Sequence, residues 1–132
     1  MTAGSYLVDV GTDHAYVPIF LCLSNRISTA IAMDIKEGPL RIAEENIRNH
    51  RLEEQIELRL SDGFAALAPG EVEVAVLAGM GGTLMIKILS GHWSVTAGLR
   101  ECVLQPQSEL FKVREFLLSE GFTIVKEDMV KE

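Results

Sequence analysis

The chain has 132 residues, 48% of them hydrophobic, with 12 Lys and Arg against 19 Asp and Glu for a net charge of −7. That length and apolar content suit one globular domain with a real core and exclude a disordered chain. The acidic balance makes this chain alone a poor general binder of nucleic acid, because phosphate contacts need clustered cations.

No apolar run approaches the roughly 18 residues of a membrane span, and no basic stretch leads into an apolar one at the start as a secretory signal would. The two cysteines, Cys22 and Cys102, form neither a metal-ligand spacing nor a disulfide framework. That pattern points to a reducing cytoplasm and to no bound metal. In chain order, Tyr6 to Val10 predicts a first strand stopped by Gly11, and Pro18 to about Ser24 a short helix with proline in its first turn. Thr29 to Asp34 predicts strand two. Pro39 opens a helix with Leu40, Ala43 and Ile47 on one face and Arg41, Glu44, Glu45 and Arg48 on the other. Ile56 to Leu60 alternates with period two as strand three, and Val72 to Ala78 predicts strand four. Thr83 to Leu89 reads as helix, and His92 and Trp93 fall in a loop. Glu101 to Leu104 predicts strand five. Ser108 caps a last helix with Leu110, Val113, Phe116 and Leu117 inward, before a sixth strand from Phe122 to Glu127. Strands alternating with helices, the inner strands almost wholly apolar, predict a doubly wound α/β fold. Its sheet should be mostly parallel and covered on both faces.

Ligands of such folds sit beyond the carboxyl ends of the strands. After strand one comes Asp9-Val10-Gly11-Thr12-Asp13-His14-Ala15. The further glycines that a pyrophosphate needs are missing, and Asp13 would repel one. The stretch suits a cationic nucleoside such as S-adenosylmethionine; alternatively Asp13 only caps the next helix and His14 is an ordinary surface residue. Asp34, followed by Ile35 at the end of strand two, is placed for ribose hydroxyls, or else caps the turn before Pro39. Asp62-Gly63 after strand three offers a carboxylate to an adenine amine and room for its ring, or is a plain turn. Gly79-Met80-Gly81-Gly82 ends strand four, where glycine lets a flat ring approach and the Met80 thioether adds a polarizable contact. The alternative there is a tight strand-to-helix turn.

The stretches LVDVGTDHAYVP, AMDIKEGPL, LSDGF, LAGMGG and LQPQ resemble, in order and over nearly the whole chain, the motifs of the bacterial tRNA (adenine-22-N1)-methyltransferases, the TrmK family. The resemblance implies a class I, Rossmann-like S-adenosylmethionine-dependent methyltransferase fold and methyl transfer to N1 of adenine 22 in tRNA. By motif, it places Asp9, Gly11, Asp13, His14 and Ala15 around the methionine part of the cofactor. Asp34 and Ile35 then hold ribose and adenine, and Asp62 and Gly63 meet the cofactor base. Gly79 to Gly82 face the target base, with Gly79 also touching the cofactor. From strand-end position, Asp13 is expected to stabilise the charge gained by the product, with His14 as acid–base partner and the carbonyls of Gly79 to Gly81 holding the target amine. The expected catalytic set is therefore Asp13, His14, Gly79, Met80, Gly81 and Gly82. Residues 1–132 read as the methyltransferase domain. The resemblance also leads us to expect that a last strand, a helix before strand one and the C-terminal helical domain of the family are absent here. That domain is the expected source of tRNA contacts. The rival readings are an NAD-dependent enzyme, a methyltransferase of proteins or small molecules, and a non-catalytic nucleotide-binding module.

Overall fold

The computed structural model describes residues 6–12 and 14–123. Five strands form one parallel sheet: β1 (Tyr6–Val10), β2 (Thr29–Asp34), β3 (Ile56–Leu60), β4 (Val74–Met80) and β5 (Glu101–Pro106), in the order β3-β2-β1-β4-β5. Helices α1 (Tyr16–Leu23) and α2 (Glu37–Asn49) follow β1 and β2. Helix α3 (Gly82–Gly91), the single turn α4 (Trp93–Thr96) and α5 (Leu110–Ser119) come after β4. The expected doubly wound, Rossmann-like architecture is present.

Alternation along the strands builds the two layers. Leu7 of β1, Ala30 and Ala32 of β2, and Val74 and Val76 of β4 pack with Ile19 and Cys22 of α1 and Ala43 and Ile47 of α2. Val8 and Val10, Ile31 and Met33, and Ala75 and Leu77 pack on the other face with Met85, Ile88 and Leu89 of α3 and Val113 of α5. Both faces of β1 are therefore buried, which is why its sequence is a nearly unbroken apolar run.

The chain fills one half of the sheet from β1 outward to β3 and then crosses back to place β4 on the free side of β1. Strand order reverses between β1 and β4, so their carboxyl ends flank a crevice. No helix spans the crossover of 61–73; buried Phe64, Leu67 and Val72 anchor it. The Arg59 guanidinium clamps its end. It pairs with the Glu71 carboxylate, donates to Glu57 Oε2 at 2.6 Å and to the Ala66 carbonyl at 2.8 Å.

Several boundaries differ from the sequence reading. α3 spans Gly82–Gly91 rather than Thr83 to Leu89. α1 starts at Tyr16 rather than Pro18 and α2 at Glu37 rather than Pro39, since a proline is tolerated anywhere in a first helical turn. β4 begins at Val74 and runs through Gly79 to Met80, because pairing with β5 carries it on past a bulge between Ala78 and Met80. β5 likewise extends to Pro106. Trp93 lies in the turn α4 rather than in a loop. The N-cap of α5 is Glu109, not Ser108, and makes no side-chain cap. The Ser108 carbonyl is engaged instead by the Gly82 N–H at 3.0 Å, which sets the path of the chain there. Phe122 and Thr123 are not in a strand, and the rest of the expected sixth strand lies outside the described residues.

Candidate functional site at the carboxyl edge of the sheet

The loop after β1 is fixed by backbone bonds. The N–H groups of Gly11 and Thr12 both donate to the Met33 carbonyl, at 2.9 and 2.8 Å, which joins the ends of β1 and β2. Ala15 is fully buried with φ 63, a left-handed conformation that costs an alanine roughly 1–2 kcal/mol. Its N–H donates to the Thr12 carbonyl at 3.1 Å and its carbonyl accepts from Ile19 at 3.1 Å. Strain of this kind, held in place by surroundings, concentrates at functional sites. Asn46 of α2 steadies the loop from the side, donating to the His14 carbonyl at 2.9 Å. The His14 imidazole stacks on Tyr16, with ring centroids 5.1 Å apart and planes 10° from parallel. Tyr16 is exposed and Phe64 is wholly buried, so Tyr16 is the aromatic at the surface of this edge. Asp13 lies outside the described residues.

Asp9 is the one acidic residue within β1 and is only 4% exposed. Thr12 donates its hydroxyl to Asp9 Oδ2 at 2.8 Å. Burial pushes the Asp9 carboxyl up to about 6, the Thr12 bond works against that rise, and the nearby Asp34 charge adds to it. Among the described residues the buried Asp9 carboxyl has one hydroxyl partner, an arrangement that a cation would relieve.

Asp34 ends β2 half-buried, and its Oδ1 accepts from the Lys36 N–H at 3.1 Å. Ile35 beside it is exposed. The Asp34 carbonyl accepts from the Ser61 N–H at 2.9 Å, tying the end of β3 to β2. Asp62 is exposed at that end. Gly63 next to it has its own packing reason, since an added Cβ would meet Ile88 of α3 at 3.2 Å.

The Gly79–Gly82 loop is latched to the segment after β5. The Gln107 N–H donates to the Met80 carbonyl at 2.8 Å, and Met85 donates to the Gly81 carbonyl at 3.1 Å. Two of the three carbonyls expected to hold a target amine are therefore already engaged. Gly79 sits at φ 73, where L-residues are strained, and an added Cβ there meets nothing within 4 Å. Gly82 is the opposite case: a Cβ would lie 2.8 Å from the Glu109 carbonyl and 2.9 Å from that of Ser108. Met80 reaches over the end of β1, with its Cε 3.6 Å from where a Gly11 side chain would begin. Glu109 closes the latch. Its Oε1 accepts from the Thr83 hydroxyl at 2.8 Å and its Oε2 pairs with Lys112 at 2.7 Å. Those partners, Lys112 first, hold the Glu109 carboxyl below the usual range.

The fold thus brings Asp9, Gly11, His14, Ala15, Asp34, Ile35, Asp62 and Gly79 to Gly82 to one edge of the sheet. Sequence reasoning missed Asn46 and Glu109. Asn46 was detectable as a polar residue among Ala43 and Ile47 on the buried stripe of α2; nothing local marks Glu109. A cleft of about 350 Å³ lies at the other, amino edge, lined among others by Thr29, Glu53, Glu54 and Glu71. It is on the wrong side for the ligand of a doubly wound sheet. Among the described residues no His, Cys, Asp and Glu side chains group as a metal site requires, and no helix is long and apolar enough to cross a membrane.

Residues 1–132 match the family model described as a methyltransferase domain. The tRNA (adenine(22)-N(1))-methyltransferase of Bacillus subtilis is 33% identical over 98% of this chain and 54% of its own length. Streptococcus pneumoniae Sp1610, solved in complex with S-adenosyl-L-methionine, superposes with a TM-score of 0.93 at 39% identity, over 99% of this chain and 62% of that one. Mycoplasma capricolum TrmK, solved with the cofactor product S-adenosyl-homocysteine, superposes with a TM-score of 0.87 at 27% identity, over 100% and 58%. The chain spans about half the length of the curated relatives it matches.

Proposed function

The chain belongs to the methyltransferase domain family, and we propose that the protein methylates N1 of adenine 22 in tRNA with S-adenosylmethionine as donor. The observation that carries this reading is the acidic carboxyl edge. A buried Asp9 carboxylate beside Asp34, at the switch point between β1 and β4, suits a ligand with cationic groups and a ribose. It does not suit a diphosphate. The family of the chain and the Bacillus subtilis relative support the reaction and the target.

When bound, S-adenosylmethionine supplies a methyl carbon activated by its sulfonium. In this reading Asp9 neutralises the ammonium of the cofactor. The N-terminus of α1, where the N-cap Ala15 offers no side-chain cap, receives its carboxylate. Asp34 accepts from the ribose hydroxyls, with Ile35 against the adenine, and Asp62 takes the exocyclic amine of that adenine. Gly11, His14, Ala15 and Gly63 shape the walls. Gly79 opens the β4 end to the target base, and Met80 closes the floor between β4 and β1.

N1 of adenine carries its own lone pair, so the chain need not remove a proton before attack. Its work is to set N1 and the methyl carbon in line, an effect worth several powers of ten. Methylation leaves positive charge on the base. Asp13 is the carboxylate proposed to stabilise it, with His14 taking up a proton from the amine. A base drawn out of its stack costs a few kcal/mol, and the exposed Tyr16 ring, braced by His14, offers a surface to stack on. The net charge of −7 over the 132 residues leaves few clustered cations in them for the phosphates of tRNA.

The test is incubation of the full-length protein with unmodified tRNA and methyl-labelled S-adenosylmethionine, followed by mapping of the modified nucleotide. Label in 1-methyladenosine at position 22 is the expected result. Label only in protein or small molecules, or binding of NAD with none of S-adenosylmethionine, overturns it.

A further inference from the structure

The extension of β5 to Pro106 has placed one side chain where the sequence reading had none. Gln105 stands in register with Ala78, the residue just before Gly79. Alternate residues of a strand share a face. Val103 and Ala78 pack against the cluster on the α1 side of the sheet, so Gln105 lies on that same face, one step nearer the carboxyl edge. Gly79, which follows Ala78, carries no side chain, and apart from its chain neighbours no atom lies within 4 Å of where one would begin. Gln105 is exposed, and its amide has no hydrogen-bond partner among the described residues.

The mounting of this amide is rigid. Pro106 follows it and fixes the local backbone. Gln107 is bonded to Met80 at 2.8 Å and Ser108 to Gly82 at 3.0 Å, so the ends of β4 and β5 cannot slide apart. A solvent-facing amide on a fixed frame, beside a glycine opening, has the properties of a reading head rather than of a surface residue.

Resting on the function proposed above, we propose that Gln105 is the specificity-determining residue for the target base. Its Nε2 donates to N7 of adenine and its Oε1 accepts from the N6 amine. An amide is the side chain that offers one donor and one acceptor to this edge. Guanine presents two acceptors there and is rejected, because its O6 would face Oε1. Reading through N6 and N7 leaves N1 unobstructed for attack, which a contact on the Watson–Crick edge would not.

The experiment is single-turnover methylation by the full-length protein of tRNA carrying adenosine or 7-deazaadenosine at position 22, for the wild type, Q105A and Q105E. The wild type is expected to lose about 10-fold on the 7-deaza substrate, which lacks the N7 acceptor. Q105A is expected to lose roughly 10- to 100-fold on adenosine and nothing more on 7-deazaadenosine. Q105E keeps the acceptor but not the donor, so it too should be blind to N7. Losses that multiply between variant and substrate, or a wild type indifferent to N7, overturn the assignment of Gln105 alone. A wild type that methylates no tRNA adenine overturns the proposed function and this inference with it.

Discussion

Replacing Asp9 with Asn should make the fold more stable at neutral pH while weakening the site. The Asp9 carboxyl sits at about 6 in the folded protein against an ordinary 3.8, because burial disfavours its charge. A pKa raised by folding contributes stability that is complete below 3.8 and is lost as pH rises through about 6. That gap corresponds to about 3 kcal/mol at pH 7 and above, about half of it already lost at pH 5. Asn has the same shape and can accept the Thr12 hydroxyl as Asp9 does at 2.8 Å. Its buried NH₂ adds a cost that does not vary with pH. The informative quantity is therefore how the difference in unfolding free energy between D9N and wild type changes with pH, measured by urea denaturation from pH 5 to pH 8. It should shift in favour of the variant by about 1–1.5 kcal/mol across that range and level off above pH 7. The same variant should bind S-adenosylmethionine at least 10-fold more weakly in calorimetry, having lost the charge that meets the ammonium. A stability difference that is flat in pH, or that moves toward the wild type as pH rises, refutes the argument that Asp9 is held charged at a cost.

Three other perturbations separate frame from function. Tyr16→Ala removes an exposed ring and should leave the melting temperature unchanged while lowering kcat/KM on tRNA about 10-fold, the value of one stacked base. Gly82→Ala forces a methyl group to within 2.8 and 2.9 Å of two backbone carbonyls and should cost about 2–4 kcal/mol, seen as a lower denaturation midpoint. Arg59→Ala frees the end of the 61–73 crossover and should cost about 1–2 kcal/mol at pH 7, a modest figure because both partners are partly exposed and screened. The Arg59 bond holds the Glu71 carboxyl down at about 2. That contribution is present above the ordinary 4.5 and is lost as pH falls toward 2, so wild type and variant should converge in acid.

What the sequence revealed divides along a physical line. Strands β1 and β2 were legible because buried parallel strands are apolar throughout and Gly11 and Asp34 break the run. The end of β4 was not, because Gly79 is a poor strand former; partnership with β5, which no local signal carries, extends it to Met80. Ser108 read as a cap on the strength of its hydroxyl, yet Glu109 takes that position because the close approach of Gly82 dictates the backbone. The turn α4 was too short for helical periodicity to register. At the site, the carboxylates at the strand ends could be found by position alone. The reach of Met80 across Gly11 joins separate pieces of chain, and the stacking of His14 on Tyr16 depends on the left-handed turn at Ala15, so only the folded structure displays them.

The central place of β1 also sets an order of events during synthesis. β1 emerges first, pairs early with β2, and then waits with its other edge bare until β4 arrives, for Leu7 must pair with both Ala30 and Val74. Until β4 has left the ribosome, that apolar edge is open to mispairing with other nascent chains. The crevice between β1 and β4 can accordingly form only once β4 is in place. Ligand occupancy there would report that β4 has docked on β1, and ligand supplied during refolding should raise the yield of native protein by capturing chains that have made this pairing.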